Sequence, residues 1–417
     1  MGVKIKAGYK KTKLGLIPEE WEIVKGKEIT SIITKGSSPK WQGFEYKESG
    51  VLFVTSENVR SSYLDISKPK YLPLEFNIKE KKSILKKGDI LINIVGASIG
   101  RAALFNIDEI ANINQAVSLF RTNHKVIDTF IVHFLNNDLT INRLLGIQSD
   151  GARPNLSLTD LRDFKIPLPP LPEQKKIADI LSTWDKAIEA TQVLIDKLQL
   201  RKKGLMQQLL TGQKRLPGFE GEWEEVSYSN ILKEVKRQFQ WNDSELYKLI
   251  SVRRRSGGLF ERESLFGHQI KTKNLREAEI GDFLISKMQI LHGASGLVTK
   301  QFHKMKISGS YIALVPLDRK VLSIELFNWL SKMPYFYHQT YISSYGVHIE
   351  KMTFDFKSFL KLRTRIPSLE EQTAIAQVLT KADEEINRTQ QYLERLQAQK
   401  KGLMQQLLTG QKRVKIV

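Results

Sequence analysis

Two stretches of the chain carry apolar residues in alternating steps of four and three. The first runs through Ile177, Leu181, Trp184, Ile188, Thr191, Ile195, Leu198, Lys202, Leu205 and Leu209, with Lys202 the one long polar exception. The second runs through Ile375, Leu379, Ala382, Ile386, Thr389, Leu393, Leu396, Lys400, Leu403 and Leu407. Such steps place every listed side chain on one helix face, and their length predicts a coiled-coil seam rather than a helix laid on a globular surface. Each stretch follows a proline, Pro172 or Pro367, and closes on Thr-Gly at Gly212 or Gly410. Glycine there suits the left-handed residue that ends a helix. A straight helix over 172–210 would measure about 58 Å. Gly204 and Gly402 fall inside the runs and weaken them by about 1 kcal/mol each, marking either a bend or a close contact.

Elsewhere the pattern changes to short apolar runs punctuated by turn residues. Residues 51–55, 89–95 and 116–120 predict strands, as do 283–286 and 311–315. Short helices are expected over 128–137 and 324–332. The fold class expected is therefore α+β, with two α/β domains separated by two long helices. The boundaries are 1–168 for the first globular domain, 169–215 for the first helical spacer, 216–366 for the second domain and 367–417 for the second spacer.

The chain repeats itself. Residues 203–215 and 401–413 are the same thirteen letters, KGLMQQLLTGQKR, 198 positions apart. The same shift relates Glu173 to Glu371, Gln174 to Gln372, Asp185 to Asp383 and Lys202 to Lys400. A weaker match relates Leu14, Glu20, Trp21, Glu22 and Val24 to Leu216, Glu222, Trp223, Glu224 and Val226. Matching seams can pair with each other. An antiparallel pair would relate the halves by a pseudo-two-fold axis, with Thr191 and Thr389 helping to fix register and the globular domains held a set distance apart.

Charge gives this architecture a partner. The 417 residues hold 65 Lys and Arg against 45 Asp and Glu, a net charge of +20. The excess falls mainly on the globular parts, +7 over 1–170 and +7 over 216–366, against +4 and +2 on the helical pieces. A basic surface on this scale points to phosphate binding. With no cysteine, disulfides, thiol nucleophiles and cysteine-containing zinc sites are excluded. No apolar run reaches the roughly 20 residues of a membrane span, and the N-terminus lacks a signal-peptide core, so a cytoplasmic protein is expected.

The predicted loops carry side chains suited to reading base edges: Asn and Gln match adenine, Arg and Lys match guanine. In the first half the candidates are Lys35, Lys40, Trp41, Ser56, Asn58, Arg60, Ser98, Arg101, Asn114, Gln115, Arg153 and Asn155. In the second they are Arg253, Arg254, Arg255, Lys271, Lys273, Lys287, Gln289, His292, Tyr345 and His348. Phosphate contacts should outnumber base contacts among them. No phosphate-binding GxxxxGK[ST] loop, amino-methyltransferase tetrapeptide or HExxH pair occurs. Neither a catalytic nor a metal site is expected. Two rival readings remain. One is a DNA-binding scaffold or regulator. The other is a nuclease around Glu45 and Lys47, a three-residue echo of a nuclease motif.

Several motifs together resemble one family. Residues 155–174, NLSLTDLRDFKIPLPPLPEQ, are similar to the domain–helix junction of type I restriction-modification specificity subunits. Gly88-Asp89 with its apolar run, the glycine loop 96–100, and Leu-Leu-Thr-Gly at both helix ends resemble that family too. The resemblance covers essentially the whole chain, though the second half lacks the Pro-Asn-Leu-Ser stretch. It implies a non-catalytic subunit that recognises a bipartite DNA target, one half per domain. It implies double-stranded DNA, two methyltransferase subunits and further restriction and translocase subunits as partners. S-adenosylmethionine, ATP and magnesium would belong to those partners.

Overall fold

The computed structural model describes residues 7–147 and 155–416. It divides into two compact units, residues 1–193 with 391–417, and residues 194–390. The long helices are continuous over Leu171–Leu209 and Leu369–Leu408. Each therefore contributes its beginning to the unit of its own globular domain and its end to the other unit.

In the first unit, strands Thr30–Lys35, Val117–Thr122, Ile90–Asn93 and Ala102–Leu104 form an antiparallel sheet in that order. A second sheet sets Val51–Val54 antiparallel to Tyr71–Leu72 and parallel to Ala111–Ile113. The central strand Ile90–Asn93 is buried on both faces. Ile90 and Ile92 meet the helix Asp128–Leu135, while Leu91 faces the second sheet. That is why its sequence reads as an unbroken apolar run rather than an alternating one.

The second unit repeats this plan. Strands Leu232–Val235, Tyr311–Pro316, Phe283–Ser286 and Ser295–Leu297 occupy the same order. Its second sheet again holds one parallel pairing, Leu249 against Lys306, but adds the long hairpin of Leu246–Val252 with Leu259–Phe266 and the strand Leu275–Glu277. The helix expected over 324–332 covers Ile324–Leu330. The one expected over 128–137 stops at Leu135, and a separate helix, capped by Asn137, runs Asp138–Leu145. Among the described residues, no helix is long and apolar enough to cross a membrane.

Both units are closed by the same clasp. The Glu-Gln pair opening each long helix is buried. In the first unit Arg413 donates to both oxygens of Glu173, at 2.7 and 3.0 Å, and the Trp21 indole adds a third bond at 3.0 Å. Gln174 accepts from the Ile127 amide and donates to the carbonyls of Lys125 and Pro169. In the second, Arg215 donates to both oxygens of Glu371, at 2.6 and 2.5 Å. Gln372 accepts from the Ser323 amide and donates to the carbonyls of Val321 and Pro367. A carboxylate in the first turn of a helix is also favoured by the helix dipole. The clasps are not identical: the buried Trp223 indole nitrogen finds no acceptor, and Arg413 also bonds the Glu20 carboxylate where Arg215 bonds the Gly221 carbonyl.

The helix ends explain the repeated thirteen letters. Gly212 and Gly410 both sit at positive φ, 72° and 73°, and lie against Trp223 and Trp21 respectively. Any side chain at either position would be strained by the backbone alone. Gly204 and Gly402 answer the question left by their sequence. Both lie inside unbroken helix, and a Cβ there would meet nothing within 4 Å, so neither marks a close contact.

Within the first unit, Lys400 pairs with Asp185, and Ile177, Leu181, Met404 and Leu407 are buried together with the domain core. Within the second, Lys202 pairs with Asp383, and Leu209, Ile375 and Leu379 join Trp329. The long polar exceptions of both seams thus bond acids on the facing helix segment. Of the remaining seam positions, Ile195, Leu198, Ile386, Leu393 and Leu396 are buried; Trp184 and Ile188 are half-buried.

Candidate nucleic-acid interface

In each unit several of the predicted loops gather where the central strand ends. In the first, the fully buried Asn93 closes its strand and donates to the Ser56 carbonyl at 2.9 Å and to Ser98 Oγ at 3.1 Å. Its amide donates to the Arg101 carbonyl, and the Asn114 amide to that of Val54. Val95 bridges Asn155. Gly36 runs so close to the Ile113 and Asn114 carbonyls that a Cβ would overlap them, which brings Lys35 to the same edge. Segments far apart in sequence thus present Lys35, Ser56, Ser98, Arg101, Asn114, Gln115 and Asn155 together.

The second unit assembles its own cluster after Ser286. The Arg255 amide donates to the His292 carbonyl at 2.6 Å, and Arg254 to Gln289 Oε1 at 2.7 Å. Lys287 accepts from the Phe354 amide, which ties in the short hairpin of Ser344–Tyr345 with Thr353–Phe354. Glu350 reaches both Arg254, at 3.6 Å, and His292, at 3.3 Å.

A buried aspartate braces the start of each central strand. Asp89 caps the turn before Ile90 through the Lys86 amide and holds Arg121 with two 2.7 Å bonds, which keep that guanidinium above its ordinary pKa. Asp282 caps the matching turn through the Glu279 amide and holds Arg237. Burial raises the Asp282 pKa despite this arginine, because only one oxygen is bonded and Oδ1 has no partner. The arginine comes from different strands in the two units, Val117–Thr122 in one and just beyond Leu232–Val235 in the other. Matching acids were visible in sequence; their partners were not.

A family profile described as the type I restriction modification DNA specificity domain matches residues 18–200. A protein of Methanocaldococcus jannaschii named as the specificity subunit of the MjaX type I restriction enzyme is 27% identical, over 98% of this chain and 97% of its own length. The chain is similar to type I restriction specificity subunits along nearly its whole length. The MjaVIII specificity subunit of the same organism is 32% identical over 52% of this chain and 51% of its own. A chain from a solved structure concerned with assembly and conformational transition of the type I restriction-modification system shares the fold. Its TM-score is 0.58 at 18% identity, covering 95% of this chain and 99% of that one.

The candidate side chains fall into distinct groups. Asn58 is committed to Thr55 and the Asp65 carbonyl, Arg60 to Asp65, Ser98 to Asn93, and Asn114 to the Ala116 amide. Arg253 lies over Phe260 and donates to the Leu259 carbonyl. With Arg254, Gln289 and His292, these residues shape the loops more than they project from them. Lys273 pairs with Asp243 and covers Trp241, away from the Arg254–Gln289 and Arg255–His292 bonds of the strand-end cluster. Among the described residues, Lys35, Lys40, Trp41, Arg101, Gln115, Asn155, Arg255, Lys271, Lys287, Tyr345 and His348 have side chains with no hydrogen bond or ion pair. Arg153 lies outside the described residues. Glu45 and Lys47 are both exposed, and no group of three or more His, Asp or Glu able to hold a metal forms among the described residues.

Proposed function

We propose that the two strand-end clusters each read one half of a bipartite, asymmetric DNA target. The observation that carries this is the duplicated plan. Two heads of one topology gather unrelated loop sequences at the same strand end, so the frame is constant while the reading surface differs. The unbonded Lys35, Arg101, Arg255 and Lys287 suit phosphate or guanine contacts, and Gln115 and Asn155 suit adenine. Basic loops supply salt-dependent affinity, and half-sites on one DNA face favour a separation of about 34 Å.

In this reading the paired helices set the gap between half-sites, and their exposed faces dock two methyltransferase subunits. Restriction and translocase subunits join that core. The chain itself supplies no catalytic group. S-adenosylmethionine, ATP and magnesium are held by the partners, and the complex works in the cytoplasm. Native long-read sequencing of DNA from cells co-expressing this chain with its methyltransferase tests the reading. The expected result is a two-part methylated motif with a fixed gap, absent when the chain is omitted. Methylation independent of the chain would refute it.

A further inference from the structure

Trp41 is 91% exposed, among the most exposed large hydrophobic side chains described. The turn that carries it is tied down by its own bonds. Gln42 and Phe44 amides both donate to the Pro39 carbonyl, at 2.9 and 3.0 Å, and the Gln42 side chain donates to Glu80. Phe44 packs edge-on against Phe76 at 5.4 Å, and Phe76 against Phe53 at 5.5 Å. The loop has a small aromatic core of its own, yet the indole takes no part in it.

The second head shows how this position is otherwise handled. Trp241 also stands six residues beyond the end of its edge strand, as Trp41 does beyond Lys35. Its ring lies 5.2 Å from Tyr247 and 6.0 Å from Phe239, with Lys273 over it at 5.4 Å, and its indole nitrogen bonds Asp243 at 2.6 Å. One plan thus has a covered and an uncovered tryptophan. The uncovered one adjoins the exposed Lys40, and its loop begins at Lys35 and Gly36, against the strand-end cluster. A flat ring beside a cation suits a base face next to its phosphate.

We propose that Trp41 inserts against the base stack of the first head's half-site, with Lys40 on the neighbouring phosphate, and that the second head makes no matching insertion from this loop. This rests on the DNA-recognition reading. An inserted wedge unstacks one base step and bends the duplex locally, so it adds to specificity through deformability as well as contact.

The test uses the chain assembled with its methyltransferase subunits and a duplex carrying the methylated motif. 2-Aminopurine is placed in turn at each step of both half-sites. One step in one half-site should brighten with the wild type, fall to free-duplex background with Trp41→Ala, and stay bright with Trp41→Phe. Probes in the other half-site, and at the methylated base, should not respond to either variant. Trp41→Ala should weaken binding roughly tenfold while leaving the melting temperature unchanged, since the ring packs on nothing. Hydroxyl-radical footprinting should show Trp41 protected only when DNA is added. Protection by the methyltransferase subunits alone would overturn the proposal in favour of a protein contact. Tight wild-type binding with no Trp41-dependent step would overturn it while leaving the recognition reading intact. Absence of specific binding by the wild type would remove both.

Discussion

Arg413 grips Glu173, 240 positions upstream, through two parallel bonds of 2.7 and 3.0 Å. The carboxylate is fully buried, while the guanidinium is one-third exposed. The bond joins the segment just beyond the end of one long helix to the first turn of the other inside a single unit. Removing the cation leaves a buried carboxylate held only by Trp21. Arg413→Met should therefore destabilise the first unit by on the order of 2 kcal/mol, less than the roughly 3–5 kcal/mol of a fully buried broken pair because Arg413 is partly solvated. Hydrogen exchange resolved by peptide should show the loss across residues 7–147 and 171–193, with 216–366 unaffected. Uniform loss over both units would contradict a local clasp.

His133 gives a pH dependence to the same unit. It is buried, with Nε2 3.3 Å from Ser182 Oγ, and Asp185 and Lys400 face it from the long helices. Asp185 stands 3.7 Å away but is already bonded to Lys400. Burial, reinforced by Lys400, pushes the imidazole down to about 3 from an ordinary 6.5. The folded form thus keeps His133 neutral while the unfolded chain takes up its proton first. This contribution is fully present above pH 6.5 and is lost as the pH falls toward 3, at about 1.4 kcal/mol per unit. Denaturant midpoints at pH 7 and pH 5 should differ accordingly, and His133→Gln should remove that difference. An equal drop in the variant would place the effect elsewhere.

Much of this architecture was legible because its signals are periodic or repeated. The four-and-three rhythm located both long helices to within a residue or two, and the 198-residue shift relates the residues that form the two clasps, though not the clasps themselves. Residues 89–95 read as a strand because a doubly buried strand is continuously apolar, although Asp89 proved to be a buried turn brace. The partners of repeated acids were illegible: Arg121 lies in one strand and Arg237 just beyond a different one, and nothing local in sequence marks them. The candidate loops were found, but not which side chains stay free. Asn58 and Arg254 read as base-readers by type, and both are consumed by neighbours that only tertiary structure supplies. The opposite treatments of Trp41 and Trp241 were equally hidden, since both stand in polar loops.

The repeat-related ion pairs predict that half of the chain can stand in for the whole. Glu173, Asp185, Lys202 and Arg215 all lie within residues 1–215. In the intact chain they bond Arg413, Lys400, Asp383 and Glu371, their own repeat counterparts in exchanged order. Two copies of residues 1–215 can therefore supply every one of these pairs to each other. Sedimentation should give twice the monomer mass, and Lys202→Glu should shift the fragment toward monomer by setting like charges against each other. Restoring the dimer with Asp185→Lys in the Lys202→Glu background would establish the exchange. A well-folded, monomeric wild-type fragment would rule it out.

If the helices set the half-site gap, lengthening both should move it without touching the reading loops. The place to do so is where the compact units divide, between Val193 and Leu194 and between Gln390 and Gln391. Insertions there leave the Lys400–Asp185, Lys202–Asp383 and both arginine clasps inside intact units. Four residues add about one turn, about 6 Å, and keep the step of four that the seam already uses, so apolar positions stay on one face. Against the helical rise of DNA, the unmethylated gap should grow by roughly one to two base pairs. An insertion in one helix alone puts the two seams out of register and should cost stability instead. Methylome sequencing of the double-insertion variant reads the outcome directly. Both half-sites should be unchanged and only the gap altered; an unaltered gap with active methylation would mean that something other than the helices measures the distance.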